Sequence, residues 1–322
     1  MSEPATHPHA GSRSTLGVVM ILMTLLGWSS VPLFLKHFAN AIDAWTSNGW
    51  RYGFAALLWA PVIVIGAWRR SLPAGLWRAA VVPSLFNIAG QVCFTCAHYE
   101  IDPGLVTFGL RLQIVFVAVG AYLLFPFERR IIRMPGYLIG AALVFAGTLG
   151  VALPGGPHPS STHAFGVTLA VASGFFFACY ALSVRHAMQG THPVTAFAAI
   201  SLYTAGGMIA LMLAFGARAG LVAWSLAPDQ FGLLLLSAVI GIALGHVFYY
   251  TSITRLGVAI SAGVVQLQPF LVTGASAVLF GERLTPGQWI SGIVAVAGAA
   301  LMLAVQQRIT GPPSPPERTP PE

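Results

Sequence analysis

Charge is what this chain has least of. Asp, Glu, Lys and Arg make up 8% of its 322 residues, against 56% hydrophobic; a water-soluble chain carries about a quarter charged. Too few charges are present to cover a soluble surface. Lysine occurs once, at Lys36, so the phosphate-binding pattern Gly-x-x-x-x-Gly-Lys-Ser/Thr is absent and this chain alone does not drive transport with ATP. All nine acidic residues (Glu3, Asp43, Glu100, Asp102, Glu128, Asp229, Glu282, Glu317 and Glu322) fall in tails, loops or helix ends. No paired carboxylates, aspartate-rich motif, paired-histidine motif or nucleophile elbow appears. The alternative reading, an integral membrane lipid-modifying enzyme, therefore finds none of the groups its chemistry needs. Three cysteines are present. Cys93 and Cys96 form a C-x-x-C inside a hydrophobic run, where small residues read as helix packing rather than redox chemistry.

Long apolar runs are what the chain does have. A helix crosses the hydrocarbon core in about 20 residues, and ten such runs stand near 15–35, 46–68, 74–97, 104–125, 135–153, 165–184, 193–215, 230–252, 257–279 and 286–305. The alternating strands of an outer-membrane barrel are missing. The fold class expected is an all-α integral membrane protein with ten transmembrane helices. Residues 1–14 read as a disordered cytoplasmic tail, 154–164 as a periplasmic linker and 306–322 as a Pro-rich cytoplasmic tail. His7 and His9 in the first tail are too few for a metal site. No cofactor is implied.

Ten spans fall into two copies. Segments 85–113 and 240–268 align without a gap at an offset of 155, placing Gln91 opposite His246, Arg111 opposite Gln266 and Gln113 opposite Gln268. Nearer the start, Lys36-His37 meets Arg185-His186 at an offset of 149. Five spans per copy, an odd number, invert the second copy (165–305) relative to the first (15–153), the architecture of many secondary transporters. The basic residues agree. With the N-terminus inside, Arg13, Arg69, Arg70, Arg78, Arg129, Arg130, Arg133, Arg185, Arg255, Arg308 and Arg318 are cytoplasmic. Only Lys36, Arg51, Arg218 and Arg283 are outside, and Arg111 lies within a helix. This is the positive-inside bias of a cell-membrane protein with both termini cytoplasmic. The +7 formal charge thus reports topology and membrane lipid, not a nucleic acid partner.

Trp28-Ser29-Ser30, Lys36 and Arg51-Tyr52 open the chain; Leu110-Arg111-Leu112-Gln113 and Phe127-Glu128-Arg129 follow, then Leu267-Gln268-Pro269 and Phe280-Gly281-Glu282-Arg283-Leu284. These resemble the EamA-type families of the drug/metabolite transporter superfamily over nearly the whole chain outside the tails. The first turn departs from the pattern, with Pro126-Phe127 where Gly is expected. The resemblance implies a secondary transporter, an exporter of a small polar metabolite such as an amino acid or related carboxylate, working by alternating access. Small multidrug exporters related to this superfamily use a membrane-buried glutamate for cationic drugs, and this chain has no counterpart.

Polar side chains in the bilayer face cavities or one another. The deep ones are Asn87, Gln91, Arg111, Gln113, His246, Gln266 and Gln268. Two readings stay open, a shared cavity lining and interhelical hydrogen bonding that only holds the bundle. Arg111 is either a substrate-carboxylate anchor or a side chain snorkelling toward Glu100 or Asp102. Arg51 reads as shallower, paired with Asp43, Glu100 or Asp102, and Lys36 as marking the membrane boundary. Trp28, Phe94, Tyr180, Tyr249 and Tyr250 offer aromatic surfaces, Trp28 and Tyr249 being carried as site candidates. Pro269 is expected to break the ninth span and free the Val265 carbonyl, with Pro32 and Pro83 as similar candidates. A proton-coupled cycle would have to use His246, the one deep group titrating near neutrality. Oligomeric state is not legible.

Overall fold

A computed structural model describes residues 10–153, 161–256 and 258–310. Every element among them is helical: α1 (Ala10–Phe38), α2 (Ala44–Trp68), α3 (Leu76–Glu100), α4 (Pro103–Gly109), α5 (Gln113–Leu124), α6 (Arg129–Ile132), α7 (Pro135–Ala152), α8 (Ser161–Ala187), α9 (Pro193–Phe215), α10 (Pro228–Ala238), α11 (Gly245–Leu256), α12 (Val258–Val265), α13 (Gln268–Phe280) and α14 (Pro286–Thr310). Ten membrane-length apolar spans result, the fourth built from α4 and α5, the eighth from α10 and α11, and the ninth from α12 and α13. Helix reaches into three segments expected to be irregular: α1 begins at Ala10, α8 at Ser161, and α14 runs to Thr310. Residues 1–9, 154–160 and 311–322 of the expected tails and linker lie outside the described residues.

The packing follows the internal repeat. α1 lies on α11 and α3 on α8, so the first span meets the eighth as the sixth meets the third. α4 meets α13, and the self-related pairs α2 with α9 and α7 with α14 complete the set. Two inverted five-helix units therefore interlock rather than sit side by side. Without a hydrophobic drive between helices in lipid, close approach has to come from small residues. At the α7–α14 contact, a Cβ on Gly298 would stand 2.6 Å from the Gly140 carbonyl oxygen. Gly136, against Val305, and Gly140, against Met302 and Gly298, lie on this close contact.

The two turns closing each half differ for a backbone reason. Gly281 ends α13 at φ +71°, a left-handed conformation that favours glycine. In the first half Phe125 is extended at φ −122° and Pro126 opens a 3-10 turn over Pro126–Glu128. The glycine missing from the first turn is missing because no residue there is left-handed.

Candidate functional site

The fourth and ninth spans break at matching places. Leu110–Leu112 forms a 3-10 turn between α4 and α5. At the repeat offset these residues correspond to Val265, Gln266 and Leu267, where α12 gives way to α13 and the Leu267 N–H bonds to the Val264 carbonyl at 3.0 Å. Pro269, in the first turn of α13, has no N–H for the Val265 carbonyl. The break expected of Pro269 is present. Pro32 and Pro83 do not interrupt their helices, since α1 and α3 continue through them. Each proline still leaves a carbonyl without its i+4 donor.

That free carbonyl is used. Pro32 releases the carbonyl of Trp28, and Gln268 Nε2 donates to it at 2.9 Å. Gln268 Oε1 in turn accepts from Arg111 at 2.8 Å, and Gln266 Oε1 accepts from the other terminal nitrogen at 3.1 Å. Arg111 Nε donates to the Thr107 carbonyl at 3.2 Å. A guanidinium on the break of one half is thus gripped by the two glutamines on the break of the other. Arg111 is 8% exposed and, among the described residues, has no carboxylate partner. The snorkelling alternative is not seen; Asp102 instead faces Lys36 at 3.9 Å. Burying an uncompensated cation costs several kcal/mol even after relaxation, and amide oxygens supply dipoles, not charge.

Trp28 also anchors an aromatic group. Its ring lies 5.0 Å from Tyr249 and 5.4 Å, edge-on, from His246. His246 stacks on Phe197 at 4.3 Å. His246 Nδ1 sits 3.1 Å from the Ile242 carbonyl, which only accepts, so Nδ1 carries the hydrogen and the neutral ring offers Nε2 as an acceptor. His246 follows a π-helical turn, Val239–Leu244, a distortion frequent at functional sites. Phe197 and Tyr250 reach a cavity of ≈ 250 Å³ that Tyr180 and Arg185 also line.

Arg111, Gln266, Gln268, Trp28, Tyr249 and His246 therefore come together. Asn87 does not join them; its amide donates to Thr204 Oγ1 at 3.0 Å, tying α3 to α9. Gln91 and Gln113 are half-buried, and neither makes a side-chain hydrogen bond among the described residues. Phe94 is buried and packs on His98 and Phe177.

Two cations are placed differently from expectation. Arg51 is 3% exposed, and its Nε donates to Ser237 Oγ at 2.9 Å rather than to an acid. Asp43 is occupied elsewhere: burial works against its ionisation, yet bonds from Thr46 and the Ala217 N–H hold the carboxyl below its ordinary pKa. The overlooked signal was depth, since Arg51 lies seven residues into α2, about as far as Arg111 into its span at 1.5 Å per residue. Lys36 does more than mark a boundary. It pairs with Glu282 at 3.2 Å, and Glu282 accepts from Ser276. At the far end of the bundle Arg185 pairs with Glu128 at 2.5 Å.

Removing Gln268 tests how tightly this group is built. Gln268→Leu strands both an Arg111 nitrogen and the Trp28 carbonyl. Each buried unsatisfied group costs about 1–3 kcal/mol. A clear fall in the thermal unfolding midpoint of the purified protein is expected, with no comparable fall for Gln113→Leu; equal midpoints would show that the chain of bonds carries no stability.

The EamA-like transporter family matches the chain twice, over residues 15–153 and 164–304. No curated protein sequence matches it. A solved structure described as a crystal structure of a protein is 17% identical and superposes with a TM-score of 0.59, covering 94% of this chain and 99% of its own. At that identity the likeness speaks for the fold alone. The doubled match covers most of the chain and both halves of the interlocked bundle, a multi-pass membrane protein. The chain belongs to the EamA-like transporter family.

Proposed function

We propose that the protein is a secondary transporter whose cargo is a small polar metabolite carrying a carboxylate, such as an amino acid, held through Arg111 between the two halves. The observation that carries this reading is the buried, acid-free Arg111 on a helix break, facing the matching break of the inverted repeat. An arriving carboxylate supplies the missing charge and accepts the guanidinium fork in two parallel hydrogen bonds. Gln266 and Gln268 then turn their oxygens away. Trp28, Tyr249 and His246 form the adjoining wall. If protons drive the cycle, His246 is the group placed to carry them. Export and residence in the cell membrane with both termini cytoplasmic are part of the same reading, supported by the resemblance and the basic bias.

Alternating access draws support from the ion pairs. Lys36 and Arg185 are repeat mates, and Glu282 and Glu128 occupy the same turn motif in the two halves. Each pair joins one repeat to the other: Lys36 of the first to Glu282 of the second, and Arg185 of the second to Glu128 of the first. Because successive spans alternate in direction, the pairs stand at opposite faces. They act as two latches related by the pseudo-two-fold axis. Partly exposed pairs are worth on the order of 1 kcal/mol, weak enough to open during turnover. Burial also raises the Glu282 carboxyl above its ordinary pKa, Lys36 notwithstanding. Acidification therefore neutralises Glu282 before an ordinary glutamate and releases its latch.

Counterflow in proteoliposomes tests the function. Vesicles preloaded with an unlabelled carboxylate metabolite should transiently accumulate the same labelled compound, without ATP. Screening amino acids and simple carboxylates this way should find at least one exchanged; failure across that set, with protein shown folded, would defeat the proposed cargo class.

A further inference from the structure

Arg51 is a second buried cation with no acid beside it, and the carboxylate held by Arg111 does not account for it. Its Nε is spent on Ser237, while the terminal nitrogens have no hydrogen bond among the described residues. The surroundings are polar, and the carboxylate that reaches Tyr99, Asp43, is held by Thr46 and the Ala217 N–H. Tyr99 lies beside Ser47 and Arg51, and the Tyr99 and Ser47 hydroxyls are buried with no partner outside this group. Asn48, on the same face of α2, accepts from Thr95 of α3 at 2.7 Å. Unsatisfied donors around an uncompensated cation are costly together; one anionic group would satisfy the whole set.

The Arg51 group adjoins the first site through α1. Gly241 of the π-helical turn lies against Val31, and a Cβ on it would come within 3.9 Å of an Arg51 terminal nitrogen. Val31 is three residues, about 4.5 Å of helix rise, beyond Trp28, whose carbonyl holds Gln268. Both arginines also lie at similar depth from the same face. Arg218 and Lys36 do not share this situation, Lys36 having its own acids.

We infer that Arg51, with Ser47 and Tyr99, forms a second anion-binding subsite, and that the cargo is a small dianion with two separated anionic groups, a dicarboxylate bridging Arg51 and Arg111. This rests on the Arg111 reading and narrows it. A phosphate monoester concentrates both charges on one group, whereas a dicarboxylate presents one charge to each arginine. A dicarboxylate leaves the loaded pair neutral, whereas a monocarboxylate leaves one buried cation exposed to its full desolvation cost.

The test is calorimetric binding to the purified full-length protein, using succinate, glutarate and adipate, their half-amides, and glycerol 3-phosphate. At least one dicarboxylate should bind 10-fold or more tighter than its half-amide and than glycerol 3-phosphate, a difference of about 1.4 kcal/mol. Arg51→Gln should erase that preference while keeping half-amide binding; Arg111→Gln should weaken both. Ser237→Asp provides a second route, because it keeps Arg51 and gives it an internal counter-charge. That variant should fold and lose the preference. Equal binding of diacid and half-amide in the wild type, or a preference that survives both Arg51→Gln and Ser237→Asp, overturns the second subsite and leaves the Arg111 reading intact. Tighter binding of glycerol 3-phosphate overturns the bridged dicarboxylate. No binding by any dicarboxylate overturns the second subsite, and the counterflow screen of amino acids and simple carboxylates decides the Arg111 reading.

Discussion

Arg111→Gln should keep the protein folded and reduce its affinity for a carboxylate cargo roughly 10- to 100-fold. The substitution puts the repeat mate's own side chain in place of arginine, so the new residue suits the geometry of a matching helix break. What it removes is the charge and the planar fork. A hydrogen bond to a charged partner contributes about 1.5–3 kcal/mol, and each 1.4 kcal/mol is tenfold in affinity. Counterflow of the best carboxylate found for the wild type measures it, with the unfolding midpoint as control. The midpoint should hold or rise, since a buried uncompensated cation has been removed. Unchanged transport would leave Arg111 as a helix clamp. Arg111→Lys should rescue only part of the activity, because an ammonium keeps the charge without the bidentate geometry.

Reversing one latch should have an effect as large, of a different kind. Lys36→Glu sets a carboxylate against Asp102 and Glu282, which already face one another across the lysine. Like charges at this spacing hold that face open and stall the cycle, and transport should fall at least 10-fold with cargo affinity little changed. Combining Lys36→Glu with Glu282→Lys restores attraction in the opposite sense and should recover most of the rate. Arg185→Glu and its exchange partner Glu128→Arg should behave the same way at the other face. A double exchange no better than the single reversals would mean that the two pairs do not act as latches.

How far the site could be read ahead of the structure depended on whether it was symmetric. Arg111, Gln266 and Gln268 stood out because the repeat offset lines up polar residues in otherwise apolar runs, and Pro269 marked the break beside them. The partner of Gln268 was not legible, because it is a backbone carbonyl released by Pro32 on a distant span. Asn87 carries the same polar signature as the glutamines, yet it meets Thr204 of α9; sequence shows a need for a partner, not which helix supplies it. The acid expected beside Arg51 is absent for a related reason. Asp43 precedes its helix and offers an obvious counter-charge, but the cap of α2 consumes that carboxylate. The latches were visible only as separate motifs. Their cross-pairing depends on how the two inverted units interlock, which no single segment encodes.

Accessibility from each face tests the central claim, that two inverted halves open alternately around a shared polar centre. Gln91, the repeat mate of His246, is half-buried on α3 and is expected to line that centre. In a background with Cys93, Cys96 and Cys179 changed to serine, Gln91→Cys serves as a reporter for a membrane-impermeant thiol reagent applied to one side of oriented vesicles. Lys36→Ala should raise labelling from the face that carries Glu282 and lower it from the other. Arg185→Ala should do the reverse. Labelling that increases from the same face in both variants, or from neither, would contradict alternating access.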